Sequence, residues 1–150
     1  MKKRILIVED ELIIRLDLKM MLLDYGYDVI GEAGDGDRAI ELTHRLKPDL
    51  ILMDINMPKL NGLKASQVIG RQLDVPVILI TAYSERAFIE KSRLDNVMGY
   101  LVKPISEEHL LPAIMIALQQ DKKTKELKQS LQMLQEQIDE GKMITQMYKQ

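Results

Sequence analysis

Four short apolar runs in the chain each end in side chains that can do chemistry. These are Glu9 and Asp10 after residues 5–8, Asp54 after residues 50–53, Thr81 after residues 76–80, and Lys103 after residues 98–102. The carboxyl ends of parallel strands share one edge of a sheet, and ligands bind along that edge. The sequence therefore predicts that three carboxylates, a hydroxyl and an ammonium group meet in one pocket.

The three predicted pocket acids indicate phosphoryl transfer assisted by a metal ion. Like charges packed closely repel one another and need a cation, and hard oxygen ligands suit Mg²⁺. A carboxylate such as Asp54 is a credible phosphoryl acceptor, because the metal and Lys103 would neutralise the charge on the transferred group. Thr81 would donate a hydrogen bond to that group. Either Glu9 or Asp10 alone would be explained more simply as a helix N-cap. The interpretation as a metal site therefore depends on the three acids together.

The elements that would position these side chains alternate between strand and helix patterns. Near-continuous apolar runs are typical of a parallel sheet covered on both faces. The predicted strands are 4–8, 28–33, 50–53, 76–80 and 98–102, and the predicted helices are 11–24, 36–46, 61–72, 84–94 and 106–120. Five such units predict an α/β fold with a doubly wound five-stranded parallel sheet. Gly31, Gly34 and Gly36 lack the G-x-G-x-x-G spacing, so we interpret them as turn glycines.

The end of the chain has a different composition. Residues 121–150 contain no proline and only one glycine, and they are rich in Lys, Gln, Glu, Leu and Met. Apolar residues there follow the 4-3-4 spacing of a coiled coil until Gly141 interrupts it. They are Leu127, Leu131, Leu134 and Ile138. We predict one domain at 1–120 and a coiled-coil extension at 121–150, with a homodimer formed through residues 110–138. A solvated helical tail is the alternative.

Composition narrows the possible classes of protein. The formal net charge of −2 gives no electrostatic case for nucleic acid or an anionic membrane as a bulk partner. The absence of cysteine excludes disulfide scaffolds and thiolate chemistry. No apolar stretch approaches the roughly 20 residues of a membrane span, and the run at 5–8 is shorter than the ~7–15 residues of a signal-peptide core. We expect a cytoplasmic protein without a membrane partner.

Five motifs give residues 1–120 a specific resemblance to a known family. They are Ile7-Val8-Glu9-Asp10-Glu11, Leu52-Met53-Asp54-Ile55-Asn56-Met57-Pro58, Asn61-Gly62, Ile80-Thr81-Ala82 and Gly99-Tyr100-Leu101-Val102-Lys103-Pro104. Jointly they resemble the response regulator receiver domain of bacterial two-component signalling, which has a flavodoxin-like fold. The resemblance implies a phosphorelay switch rather than an enzyme, in which Asp54 accepts a phosphoryl group from a sensor histidine kinase.

The same resemblance implies a set of metal ligands. Mg²⁺ would be held by Glu9, Asp10 and Asp54, with the backbone carbonyl of Asn56 as a further ligand. The family more often has Asp where Glu9 stands. Because Glu is one methylene longer, ligation through water is also compatible with this position.

The resemblance further implies how the phosphoryl group would be sensed. Thr81 and Tyr100 would form the switch pair, and Lys103 would contact the phosphoryl group. The Lys103–Pro104 peptide bond would be cis, a form that only proline makes inexpensive. Tyr83, two residues after Thr81, would shield the phosphoryl group from water, or would be an ordinary loop tyrosine.

A narrower resemblance concerns the output. Residues 79–118, with Thr81-Ala82-Tyr83-Ser84 and Phe88-Ile89-Glu90-Lys91, are similar to receivers of the antiterminator (ANTAR-type) group. Those regulators carry a three-helix RNA-binding module after a coiled coil. Residues 134–148 resemble the start of that module. We therefore expect control of transcription antitermination, with RNA as a partner only if a complete module exists beyond this chain.

Three alternatives remain at this stage. The chain would act as a stand-alone receiver through protein–protein contacts, or as a pseudo-receiver scaffold that never carries a phosphoryl group. It would otherwise be a Mg²⁺-dependent phosphatase of the haloacid dehalogenase type, which also forms an aspartyl phosphate. Those phosphatases generally need an acid two residues after the nucleophile. Here Asn56 holds that position, and Asp54 ends the third strand rather than the first.

Overall fold

The strands that end in the pocket residues form one parallel sheet. The computed structural model describes residues 2–82 and 94–148. Its strands are β1 (Arg4–Val8), β2 (Asp28–Ala33), β3 (Leu50–Asp54), β4 (Val77–Thr81) and β5 (Val97–Val102). Their order across the sheet is β2-β1-β3-β4-β5. The predicted doubly wound parallel sheet is confirmed, and every strand bound lies within one residue of the prediction.

The described helices follow the prediction at their starts. They are α1 (Leu12–Asp24), α2 (Gly36–Leu46), α3 (Gly62–Gln72) and α4 (Glu107–Tyr148). The helix predicted at 84–94 and the antiterminator-like motifs at 81–84 and 88–91 lie wholly or mostly outside the described residues. The last helix, predicted to leave the domain near residue 120, continues through Gly141 to Tyr148. Strong helix formers around one exposed glycine tolerate its cost of about 1 kcal/mol.

The helices cover both faces of the sheet. Side chains of α2 and α3, such as Leu42 and Ile69, pack with one face of β1, β3 and β4. Side chains of α1 and α4, such as Leu18 and Ile114, pack with the other face. Strands β1 and β3 are buried along almost their whole length because helices cover them on both sides.

The chain divides into two compact units, a first unit Met1–Leu118 and a second unit Gln119–Gln150. Leu110 and Ala117 of α4 are fully buried in the core of the first unit. Met115 and Ile116 of the same helix are more than half exposed, and the pairing of two chains through residues 110–138 stays a prediction. Across the described residues, we find no helix with the length and apolarity needed to cross a membrane.

Arg4 at the start of β1 fixes the end of α2. Its backbone N–H donates to Asp49 Oδ2 at 2.8 Å. Its guanidinium donates to the carbonyl oxygens of Leu46 at 2.8 Å and Lys47 at 2.9 Å. The last carbonyls of a helix have no partner within the helix, so Arg4 satisfies two acceptors and joins α2 to the sheet.

Candidate functional site

The three predicted acids meet at the carboxyl-end edge of the sheet. In the register of β1 and β3, Val8 lies opposite Met53, so Glu9 and Asp54 follow as neighbours. One carboxylate oxygen from each of Glu9, Asp10 and Asp54 lies within 4.8 Å of the others. Glu9 is fully buried and Asp54 is 2% exposed, whereas Asp10 is exposed. The edge therefore forms a carboxylate pocket with two buried acids and one acid at its mouth.

Lys103 reaches this pocket from the end of β5. Its Nζ donates a hydrogen bond to Asp54 Oδ2 at 2.8 Å and lies 3.4 Å from Glu9 Oε2. Its backbone N–H donates to the carbonyl of Thr81 at 2.9 Å, which extends the pairing of β4 with β5. The Lys103–Pro104 peptide bond is cis. One ammonium group thus faces two buried carboxylates.

The pocket shifts the ionisation of its buried groups. Burial raises the pKa of Glu9 to about 7, and the negative charge of Asp54 adds to this effect. The backbone N–H of Glu11 opposes the rise by donating to Glu9 Oε1 at 3.2 Å. Burial lowers the pKa of Lys103, but its hydrogen bond and ion pairs with Asp54 and Glu9 outweigh burial, so that pKa is raised. The pocket therefore holds negative charge only at a cost, and an additional cation would relieve it.

The donor atoms of the pocket fit a magnesium ion. Glu9 Oε2 is buried and, among the described residues, accepts no hydrogen bond. The Lys103 ammonium lies 3.4 Å away and is shared with Asp54, so this buried oxygen still lacks a hydrogen-bond donor, which is costly. The three acids offer only oxygen ligands, which Mg²⁺ prefers. Asn56 is also at the pocket, because its backbone N–H donates to Asp54 Oδ1 at 3.2 Å.

The alternative reading of Glu9 or Asp10 as a helix cap has little support. The N-cap residue of α1 is Glu11, and its side chain makes no capping hydrogen bond. By contrast, Asp35 and Asn61 cap α2 and α3 by accepting the backbone N–H groups of residues 38 and 64. The sequence pattern at Glu9 and Asp10 is therefore better explained by the pocket than by the helix.

The two predicted switch residues lie on β4 and β5. Thr81 is fully buried at the end of β4, and its hydroxyl donates to the carbonyl of Ala82 at 2.9 Å. Tyr100 is half-buried on β5, opposite Leu79 in the sheet register. Tyr83, the predicted shield of the phosphoryl group, lies outside the described residues.

Sequence reasoning missed the role of the loop at 55–61, between β3 and α3. Gly62, the first residue of α3, donates its backbone N–H to the carbonyl of Ile55 at 2.9 Å. A Cβ at Gly62 would overlap the carbonyl oxygen of Asp54, and a Cβ at Gly36 would overlap that of Leu60. The sequence alone indicates only a turn at Gly36. No sequence signal distinguishes a turn from a close backbone approach.

An apolar surface adjoins the pocket along α1. The exposed apolar side chains of this helix are Leu12, Ile13, Leu16, Met20 and Leu23. A cavity of about 320 Å³ lies beside it, lined by Ile14, Asp17 and Leu18 of α1 and by Lys103, Pro104 and Ile105. Because α1 begins at Leu12, two residues after Asp10, the apolar surface begins beside the carboxylate pocket.

Comparisons with known proteins agree with this geometry. The sequence model of the response regulator receiver domain matches residues 5–115. Transcriptional regulatory protein PdtaR of Mycobacterium tuberculosis is 40% identical over 142 residues, which are 95% of this chain and 69% of PdtaR. Chemotaxis protein CheY of Thermotoga maritima is 33% identical over 115 residues, which are 76% of this chain and 96% of CheY. The crystal structure of the response regulator domain of Thermotoga maritima CheB has a TM-score of 0.73 at 31% identity, over 79% of this chain and 98% of that domain.

Proposed function

Because the chain belongs to the response regulator receiver domain family, we propose that it is a two-component switch controlled by phosphorylation of Asp54. The phosphoryl donor is a sensor histidine kinase, and the chain acts in the cytoplasm. The observation that carries the proposal is the environment of Asp54. This buried carboxylate lies 2.8 Å from the Lys103 ammonium and shares a pocket with two further acids.

Each pocket residue has a defined task in this proposal. A carboxylate oxygen of Asp54 attacks phosphorus, the bond from phosphorus to the kinase histidine breaks, and an acyl phosphate forms. Lys103 pairs with Asp54 beforehand and with a phosphoryl oxygen afterwards. Glu9, Asp10 and Asp54, with the backbone of Asn56, would hold Mg²⁺, which neutralises charge on the phosphoryl oxygens when bound.

The test uses a small phosphodonor, so that no kinase is needed. With acetyl phosphate and Mg²⁺, the wild-type chain should acquire a base-labile phosphoryl group, and chelation of Mg²⁺ should prevent it. Asp54→Asn should abolish labelling because an amide is not an acceptor. Lys103→Ala should keep most of the Mg²⁺ affinity but weaken the response. Undiminished labelling of Asp54→Asn would refute the site.

The apolar surface of α1 supports a protein as the natural donor. Leu12, Leu16, Met20 and Leu23 lie along one side of the helix at spacings of four, four and three, and all are more than half exposed. A helical partner that packs on this stripe would be held beside Asp54 and Lys103. We therefore assign the stripe and its adjoining cavity to the kinase domain that carries the phosphohistidine.

A charge placed on the stripe separates docking from chemistry. Leu16→Arg should slow phosphoryl transfer from the cognate kinase by tenfold or more, because a buried apolar contact becomes an unpaired charge. Its labelling by acetyl phosphate should stay at the wild-type rate. Met115→Arg is the matched control, since Met115 is 65% exposed on α4 and Leu16 is 58% exposed on α1. Equal slowing with both donors would show damage to the pocket rather than loss of docking.

The switch response is proposed to run through Thr81 and Tyr100. A phosphoryl group on Asp54 would attract the Thr81 hydroxyl, which now donates to its neighbouring carbonyl. The movement would open space for the half-buried Tyr100 ring to turn inward. Beryllofluoride with Mg²⁺ mimics the phosphoryl group, so it should shift the nuclear magnetic resonance signals of both residues. Unchanged signals at both positions would contradict this route.

The second unit is proposed to pair two chains. The exposed Leu127, Leu131, Leu134 and Ile138 form one stripe, and the same stripe on a second copy would cover it. Phosphorylation of Asp54 should strengthen the pairing. Light scattering should therefore report a larger mass with beryllofluoride. A monomer under both conditions would count against the coiled coil.

The output of the switch is proposed to be control of transcription. The relative PdtaR is a transcriptional regulatory protein that extends beyond the matched region. Residues 121–150 hold six lysines against five acids, a net charge of +1, and one aromatic residue, Tyr148. RNA recognition normally needs more positive charge and stacking surface. Antitermination therefore requires a complete RNA-binding module beyond residue 150, and tight, selective RNA binding by residues 1–150 in a gel shift would contradict this.

A further inference from the structure

The loop at 55–61 carries a backbone group that contacts the phosphorylation site. The N–H of Asn56 donates to Asp54 Oδ1, so the position of the loop helps set the orientation of the carboxylate. At its far end the loop meets Gly62, whose N–H donates to the carbonyl of Ile55. A Cβ on Gly62 would overlap the Asp54 carbonyl oxygen and lie 2.8 Å from its carbon. The loop is therefore closed tightly on itself at one side.

Gly36 contacts the same loop from the other side. It is the first residue of α2, and a Cβ there would overlap the Leu60 carbonyl oxygen and lie 2.8 Å from Leu60 Cβ. Two further features lie beside this contact. Lys59 adopts a positive φ of 66°, and its Nζ lies 3.8 Å from Asp35 Oδ2. Asp35 in turn caps α2 through the N–H of Arg38 at 2.8 Å.

We infer that Gly36 is a positioning residue for the phosphorylation of Asp54. It touches neither the carboxylate nor the phosphoryl group. Gly36 contacts Leu60 on one side of the loop, and Gly62 contacts the other side. The loop in turn positions the backbone N–H of Asn56 against Asp54. This role rests on the proposed function. A larger residue at 36 must push the loop away, and displacements near 1 Å at a reacting group cost up to about 100-fold in rate.

The test is Gly36→Ala in the full chain, with acetyl phosphate as donor. Alanine is a better helix former than glycine, so without the close approach this variant would be more stable and would label at the wild-type rate. We expect the labelling rate and the Mg²⁺ affinity to fall at least tenfold, with a shift of the Asn56 amide signal. Leu60→Gly adds no atoms, loosens the same contact and removes a partly buried side chain, and it should also slow labelling.

Two controls isolate positioning from general destabilisation. Gly141→Ala makes the same change in a helix where a Cβ meets nothing within 4 Å. Ile114→Val trims a fully buried side chain of α4 and lowers stability without touching the loop. Both should keep the wild-type labelling rate and Asn56 signal.

The outcomes distinguish this inference from the proposed function. If the wild-type chain does not label at Asp54, the proposed function fails. If the wild type labels and Gly36→Ala or Leu60→Gly labels at the same rate, the positioning role of Gly36 is overturned. If Ile114→Val slows labelling as much as Gly36→Ala, the effect is loss of stability and the inference is likewise overturned.

Discussion

The two units of the chain differ in the exposure of their apolar side chains. In the first unit, Leu6 and Leu52 are fully buried under helices on both sides of the sheet. In the second unit, Leu127 and Leu131 are each 65% exposed. The first unit therefore gets its stability from its own contacts, whereas the second presents a surface that becomes stable only when another helix covers it. Mutations in one unit should therefore leave the properties of the other unit unchanged.

The largest expected effect comes from the carboxylate pocket of the first unit. Asp10→Ala removes an exposed acid from the predicted metal ligands. We expect Mg²⁺ affinity and labelling by acetyl phosphate to fall together, by about 100-fold, because a metal ligand is lost. Pairing of chains in the absence of phosphodonor should stay unchanged, as measured by sedimentation. Loss of pairing in this variant would mean that the two units are not separable in this way.

The converse change lies in the second unit. Leu131→Lys places a charge in the middle of the exposed stripe, and each chain would lose about 1.5–3 kcal/mol of apolar burial on pairing. The dimer should dissociate, while the melting temperature of the first unit and the labelling rate stay at wild-type values. Gln132→Lys adds the same charge off the stripe and is the control. Equal dissociation in both variants would mean that the added charge, and not its position on the stripe, causes the dissociation.

A smaller effect is expected from a contact that joins elements within the first unit. Arg4→Ala removes the donors to the Leu46 and Lys47 carbonyls. The free energy of unfolding should fall by about 1–3 kcal/mol, since hydrogen bonds from charged groups contribute about that much. Urea denaturation measures it, with Lys2→Ala as an exposed control. A loss confined to the second unit would contradict the assignment of this contact.

The last expected effect is a pH dependence set by Glu9. Its pKa is raised from 4.5 to about 7, so between these values the folded protein binds a proton that the unfolded chain does not. Without metal, stability should therefore decrease as pH rises from about 4.5 to 7. Mg²⁺ needs the ionised carboxylate, so its affinity should fall up to about tenfold per pH unit below 7. Calorimetry with and without Mg²⁺ checks both trends; Mg²⁺ affinity that is flat across this range would exclude Glu9 as a ligand.

The same contrast explains what the sequence could predict. The alternation of short β-branched runs with helical patterns located all five strands, and the shared strand edge brought Glu9, Asp10 and Asp54 together, because parallel sheets leave few other arrangements. The helical extension at 121–150 was also predicted, and α4 does continue through Gly141 to Tyr148, since one glycine weakens a local pattern without breaking a helix. The contact of Gly36 with Leu60 was missed. Close backbone approaches depend on how distant segments pack, and local residue patterns do not encode them.

The most direct test of the account locates the phosphoryl group chemically. After incubation with acetyl phosphate and Mg²⁺, borohydride reduction converts an acyl phosphate into an alcohol at the modified residue, which peptide mass spectrometry then identifies. The account predicts reduction at Asp54 alone, with none when Mg²⁺ is chelated. Reduction at another acid, or no reduction in a folded chain saturated with Mg²⁺, would contradict the proposal that Asp54 is the switch.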